Sequence, residues 1–209
     1  MTLPDATLID TPHGPARAHL HGVDGATGGL VLGHGAGGGV HARDIVAVTD
    51  AALQASIAVV LVEQPYRVAG RRSPAPARQL DAAWTAVLAH LRAGPLVGLP
   101  VVTGGRSSGA RVACRTASAT GASGVLCLAF PLQPPQRRSA SEPPPSRIGE
   151  LEAVDVPVLI VQGLADPFGM PPPAPGRTVV QVRGNHSLAA DRPLIAASAR
   201  DWLVALLSS

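Results

Sequence analysis

Residues 101–113, VVTGGRSSGARVA, pass from an apolar run into a run of small residues through Gly105-Arg106-Ser107-Ser108-Gly109. This is the G-x-S-x-G pattern. Its central serine occupies a strained strand-to-helix turn, and glycines two residues to either side remove bulk where strand and helix pass closely. Of the two serines only Ser107 has glycine at both positions. A serine hydroxyl is a poor nucleophile until a base takes its proton, and the base needs an acid to hold it in the right tautomer. Both lie downstream, acid first: Asp166 in GLADPFG, after the apolar run 158–161, and His186 in GNHSL, after the run 178–182. If those runs are parallel strands, all three side chains leave the same carboxyl edge of a sheet. Each has a plainer use, since Asp166 precedes Pro167 as turn formers do and His186 beside Asn185 could cap a helix. No acid follows the run 125–129 until Glu142, so Asp166 has no near rival.

A second glycine cluster, VLGHGAGGGVHARD at 31–44, admits two readings. Gly33, Gly35 and Gly38 fit the G-x-G-x-x-G dinucleotide fingerprint, and Glu63 ends the next apolar run where a ribose-binding acid could sit. The same HGAGG stretch fits a loop whose backbone N–H groups face a developing negative charge. The fingerprint normally follows the first strand of its sheet, whereas two strand-like segments precede this one, and the glycines continue through Gly39 before helical residues begin. An oxyanion loop also leaves nothing over: it joins Ser107, Asp166 and His186 in one mechanism, which a phosphate loop would leave unexplained. Dinucleotide binding by 33–38 stands as an alternative, as does a non-catalytic scaffold, which loss of one of the three residues would have suggested.

The elements that must position these residues are legible as alternation. Short apolar runs at 30–32, 57–62, 101–103, 125–129, 158–161 and 178–182 have the character of strands buried on both faces. Ala-rich segments at 42–55, 76–92, 108–119 and 193–207 have helical length. The expected fold class is α/β, a mostly parallel doubly wound sheet flanked by helices, in a single domain over 1–209. Two earlier segments, 7–10 and 16–21, are expected to form an antiparallel edge hairpin. Residues 131–146, with PPQRR and SEPPPS, read as a surface loop too short and proline-rich for a helical cap. PFGMPPPAPGR, 167–177, is equally poor in helix formers.

Composition excludes several classes. Hydrophobic residues make up 46% and aromatics 2%, so the core is built mainly from Ala, Val, Leu and Ile. All 17 basic residues are Arg. Without lysine there is no Walker A loop, no Schiff base and no Ser-Lys dyad. The arginines are scattered and stacking aromatics are few, so no nucleic-acid partner is expected. Arg67, Arg71, Arg72 and Arg78 form the one basic concentration; a solvated loop is the plain reading, and an Arg that faces the site and selects an acidic acyl group is the sharper one. Cys114 and Cys127 lack CxxC spacing and read as buried free thiols in a reducing compartment. His19 and His21 alternate along a strand but have no acidic or sulfur partner at ligand spacing, so no metal is expected. No leader-like or membrane-length apolar run is present, and the expectation is a cytoplasmic protein with no membrane partner.

On HGAGG, GRSSG, GLADPFG and GNHSL the chain resembles an α/β-hydrolase, of the small lidless, dienelactone-hydrolase-like kind seen in bacteria, over nearly its whole length. The resemblance implies Ser107 as nucleophile, His186 as general base and then acid, Asp166 as the orienting carboxylate, and the backbone N–H groups of Ala36 and Ser108 as oxyanion hole. It implies a small-molecule ester, thioester or related acyl substrate and no cofactor. His34 is expected to hold its loop through the backbone, and with Arg71 and Arg72 it is also a candidate substrate contact. EQPYRVAGRRSPAP, 63–76, resembles a stretch common in this bacterial group. Some eukaryotic relatives serve in complexes, which is the basis of the binding-subunit alternative.

Overall fold

The computed structural model describes residues 6–134 and 144–208. In chain order the strands are β1 (Ala6–Ile9), β2 (Ala16–His21), β3 (Gly28–Gly33), β4 (Ile57–Glu63), β5 (Val101–Arg106), β6 (Gly124–Leu128), β7 (Val158–Gly163) and β8 (Arg177–Val182). The helices are α1 (Arg43–Gln54), α2 (Pro65–Val68), α3 (Ala77–Ala93), α4 (Ser108–Thr120), α5 (Ile148–Glu152) and α6 (Arg192–Leu207). One sheet runs in the order β1-β2-β4-β3-β5-β6-β7-β8. β1 and β2 form the expected antiparallel hairpin, β2 lies antiparallel on β4, and every pairing from β4 to β8 is parallel. The mostly parallel, helix-flanked sheet expected from the sequence is therefore the one observed.

The alternation of side chains along the strands divides the core. Leu30, Leu32, Val59, Leu61, Leu126, Leu128, Leu159 and Val161 pack with Ile45 and Val48 of α1 and with Ile195, Ala199 and Leu203 of α6. Their neighbours point the other way, Val31, Val60 and Val62 against Trp84, Val87 and Leu88 of α3. Val125, Cys127, Val158 and Ile160 meet Ala110, Ala113 and Ala117 of α4. Both faces are covered, which is why these strands read as unbroken apolar runs rather than as a polar–apolar alternation. The edge strands differ: β1 is exposed over three of its four residues, and β8 is buried only at its two ends.

Three departures from the sequence reading have physical causes. β5 continues to Arg106 through Gly104 and Gly105, residues of low strand propensity. A Cβ on Gly104 would collide with the Leu126 carbonyl oxygen, so glycine is there for close packing and does not end the strand. α2 and α5, of four and five residues, are too short to show a period. Within 131–146, expected at the surface, Pro131 and Leu132 are buried, Leu132 packing in the α4 cluster; residues 135–143 lie outside the described residues. Between β7 and β8 there is no helix, in keeping with its prolines.

Cys114 of α4 and Cys127 of β6 face each other with sulfurs 3.5 Å apart, both buried. The hydrogen bond shared with Cys114, and then burial, push the Cys127 thiol well up. A raised thiol without solvent contact is a poor nucleophile. An aromatic disulfide reagent is therefore expected to titrate no thiol in the native protein and both after denaturation; prompt reaction of either in the native state would contradict this packing.

Candidate active site

Ser107 sits between the last residue of β5 and the first of α4 at φ 51°, ψ −106°. A non-glycine residue rarely occupies this region, and it stays there only when its surroundings over-determine it. They do so here. The Ser107 N–H donates to the Leu128 carbonyl at 2.9 Å, and β3, β5 and α4 meet with no room for a side chain. A Cβ on Gly105 would lie 2.5 Å from the Gly33 oxygen and 2.9 Å from the Gly109 carbonyl carbon. One on Gly109 would lie 2.6 Å from the Gly33 oxygen. Both glycines of the motif are thus required by contact with the strand that feeds the glycine loop.

His186 follows β8 and Asp166 follows β7, so parallel strands deliver both to the edge where Ser107 emerges. His186 Nε2 is 2.9 Å from Ser107 Oγ, and His186 Nδ1 is 2.8 Å from Asp166 Oδ2. The Asp166 side chain is 1% exposed. Its Oδ1 accepts the Phe168 N–H at 2.9 Å, and its Oδ2 also accepts Gln162 Nε2 at 2.9 Å. Both donors, with the imidazole, fix the orientation of the carboxyl group. The carboxylate in turn makes Nδ1 the protonated ring nitrogen, leaving Nε2 to accept from the Ser107 hydroxyl. The Phe168 ring packs on the imidazole in a T-shaped contact, with centroids 4.5 Å apart.

The glycine loop is held by backbone bonds to two side chains. His34 Nε2 accepts the Gln64 N–H at 3.1 Å, so Nδ1 carries the proton and donates to the Gly35 carbonyl at 2.9 Å. Burial lowers the pKa of His34 and keeps the ring neutral, as this pairing requires. The Gly35 carbonyl also accepts the Gly38 N–H, and Tyr66 Oη donates to the Ala36 carbonyl at 2.9 Å. In a trans peptide the N–H points opposite to the carbonyl, so anchoring the Gly35 oxygen fixes the direction of the Ala36 N–H. The Ser108 N–H, first in α4, has no intrahelical acceptor.

The family described as "Alpha/beta hydrolase domain" matches residues 26–190, which include the glycine loop, the elbow, Asp166 and His186. The chain belongs to this alpha/beta hydrolase family. Among alpha/beta hydrolase folds of known structure it is similar to Est1E from Butyrivibrio proteoclasticus, at 16% identity and TM-score 0.77 over 98% of this chain and 99% of that one. It is also similar to dienelactone hydrolase from Anabaena variabilis, at 17% identity and TM-score 0.73 over 98% and 99%. A third is a serine hydrolase without a lid from Xanthomonas campestris, at 20% identity and TM-score 0.69 over 97% and 96%. At these identities the likeness is one of fold. A comparison with curated proteins finds no match.

The remaining sequence candidates fall out as follows. His34 is 3% exposed and both ring nitrogens are taken by backbone, so it has no polar atom left for a substrate and belongs to the loop's support. Arg71 and Arg72 are both exposed; Arg71 lines a cleft with His13, Gln64, Tyr66, Gln79 and Leu80, next to the glycine loop that Tyr66 braces, and Arg72 is not in that lining. Glu63 pairs with Arg17 at 3.0 Å and with His19 at 3.3 Å, so it is not held free for a ribose. Among the described residues no group of three or more His, Cys, Asp or Glu could hold a metal ion, and no helix is long and apolar enough to cross a membrane.

Sequence reasoning missed Gln162, which is fully buried and whose two Nε2 hydrogens are shared among Asp166 Oδ2 and the Phe130 and Gly169 carbonyls, all within hydrogen-bond distance. It tethers the β6 and β7 loops to Asp166. Its one sequence signal is a glutamine closing the otherwise apolar VLIVQG, a polar group that burial obliges to find partners.

Proposed function

We propose that this chain is a serine hydrolase acting on a small ester, thioester or related acyl compound. The observation that carries the reading is the relay from Ser107 Oγ through the imidazole to a buried Asp166, at 2.9 and 2.8 Å. His186 Nε2 takes the Ser107 proton as Oγ bonds to the substrate carbonyl carbon. The carbonyl electrons move to oxygen, and that oxyanion accepts hydrogen bonds from the N–H groups of Ser108 and Ala36, each worth about 3 kcal/mol in a preorganised site. The C–O or C–S bond then breaks, His186 Nε2–H protonates the departing alcohol or thiol, and Ser107 is left acylated. Water, deprotonated by His186, attacks the acyl carbon, and the acid leaves with Ser107 Oγ recovering its proton. Asp166 stays ionised and holds the ring.

Small substrates fit the short connection from β6 to β7, whose described residues include only the five-residue helix α5. The dinucleotide reading is disfavoured by the pairing of Glu63 and by the 34–42 stretch, which separates β3 from α1.

Intact-mass analysis after exposure to a fluorophosphonate tests the reading. Wild type is expected to gain one adduct and Ser107→Ala none; a folded wild-type protein that gains no adduct would overturn the assignment and favour a binding role.

The cleft that holds Arg71 extends the reading to the acyl group. One charge-assisted hydrogen bond to a substrate carboxylate contributes about 1.5 kcal/mol, roughly tenfold in kcat/KM. Replacing Arg71 and Arg72 together by Ala is expected to lower the preference for a hemisuccinate over a butyrate ester by about that factor. An unchanged preference would remove both from the substrate contacts.

A further inference from the structure

Arg106, the residue between Gly105 and Ser107, takes no part in the chemistry above, yet its guanidinium meets the start of α1 and two segments that the chemistry needs. Its Nε lies 3.0 Å from Asp44 Oδ2 on the first turn of α1, just beyond the glycine loop. Its Nη2 donates to the His186 carbonyl at 3.0 Å. Its Nη1 lies against the glycine loop, where a Cβ on Gly35 would approach it to 3.2 Å. The backbone of the same residue leads directly into Ser107.

We propose that Arg106, held by Asp44, is the positioning residue that keeps His186 in register with Ser107 and the glycine loop. The inference rests on the serine-hydrolase reading for its consequences in rate, but the contacts stand without it.

Two features make the pair more than packing. Asp44 is fully buried, and Arg106 is its only ion-pair partner among the described residues. A buried ion pair adds little stability over apolar side chains of the same volume, so what it contributes here is direction. The guanidinium is a rigid planar fork whose edges keep fixed angles to one another. The second feature is the place of His186. β8 is the edge strand, so the loop after it has a sheet neighbour on one side alone. The carbonyl of His186 is gripped from the inner side by Arg106, at the residue whose ring must stay within hydrogen-bond reach of Ser107 Oγ. Displacement of a reacting group by about 1 Å costs on the order of 100-fold in rate.

The test compares wild type, Arg106→Gln, Asp44→Asn and the D44N/R106Q double variant. Two quantities are read: fluorophosphonate inactivation, resolved into its binding constant and its chemical step, and the downfield proton signal of His186 Nδ1–H in the NMR spectrum. In R106Q the chemical step is expected to slow about 100-fold with the binding constant within about twofold, and the His186 signal to shift or broaden. D44N is expected to fall between R106Q and wild type, and the double variant to be no slower than R106Q, because both changes break one linkage. R106Q leaves the buried Asp44 carboxyl without its ion-pair partner, so the double variant carries the test if the single one does not fold. A folded R106Q or double variant with a chemical step within about threefold of wild type and an unchanged His186 signal would overturn the proposal. If wild type takes no label, the hydrolase reading fails by itself, and the His186 signal in the variants still decides whether Arg106 holds the loop.

Discussion

Asparagine in place of Asp166 is expected to slow fluorophosphonate labelling and ester turnover by about 10⁴-fold while leaving the fold intact. Asp166 accepts three hydrogen bonds, from Phe168 N–H on Oδ1 and from Gln162 Nε2 and His186 Nδ1 on Oδ2. An amide cannot accept all three. With its oxygen toward Phe168, its NH2 faces His186 and the Gln162 donor, so Nδ1 must become the acceptor and the ring proton moves to Nε2. A protonated Nε2 donates to Ser107 Oγ and cannot take its proton. A wrong tautomer of this kind costs about 10⁴ in serine–histidine–aspartate triads. With its oxygen toward His186 the tautomer is preserved, but the Phe168 N–H meets an NH2 group in a buried place. Leaving a buried donor unsatisfied costs about 1–3 kcal/mol. The measurement is the second-order labelling rate of Asp166→Asn beside its thermal melt. A folded variant labelled within tenfold of wild type would show that Asp166 does not set the state of His186.

The second large effect is expected at Gly109. An alanine methyl there would stand 2.6 Å from the Gly33 oxygen, 2.7 Å from the Gly33 carbonyl carbon and 2.9 Å from the His34 oxygen. All three are backbone atoms at the head of the glycine loop, so no side-chain rotation relieves the contact. Either α4 moves away from β3, taking Ser107 and the Ser108 N–H with it, or the loop moves and carries the Ala36 N–H out of place. Overpacking of this severity costs about 3 kcal/mol or more. In a chain of this size that lowers the melting temperature by roughly 6–12 °C. Labelling of Ser107 is expected to be lost with it. Gly37→Ala is the control: its Cβ would meet nothing within 4 Å, and stability is expected to stay within about 0.5 kcal/mol of wild type. Equal melting temperatures for Gly109→Ala and Gly37→Ala would contradict the close passage of β3 and α4.

What the sequence by itself determined is whatever rests on local pattern and chain order. Buried strands announce themselves as apolar runs because both faces of the sheet are covered, as at Val158–Gly163. Ser107, Asp166 and His186 could be named because each stands just beyond such a run, and parallel strands send their ends to one edge. Where a residue's neighbours in space are far away in sequence, pattern is silent. Gly104 and Gly105 looked like the end of a strand, since propensity opposes glycine there, but contact with Leu126 and Gly33 requires it. His34 could be expected to hold its loop through the backbone, but that the Gln64 N–H occupies its second ring nitrogen and leaves none for a substrate is decided by the fold. Gln162 and Arg106 had no reading at all, because a buried amide or guanidinium takes its meaning from carbonyls and carboxylates that the fold alone brings to it, Phe130 and Gly169 for one, Asp44 and His186 for the other. Local propensity and strand order are written in neighbouring residues. The partners of a buried polar group are chosen only when the sheet and its helices close, because water satisfies the same group in the unfolded chain.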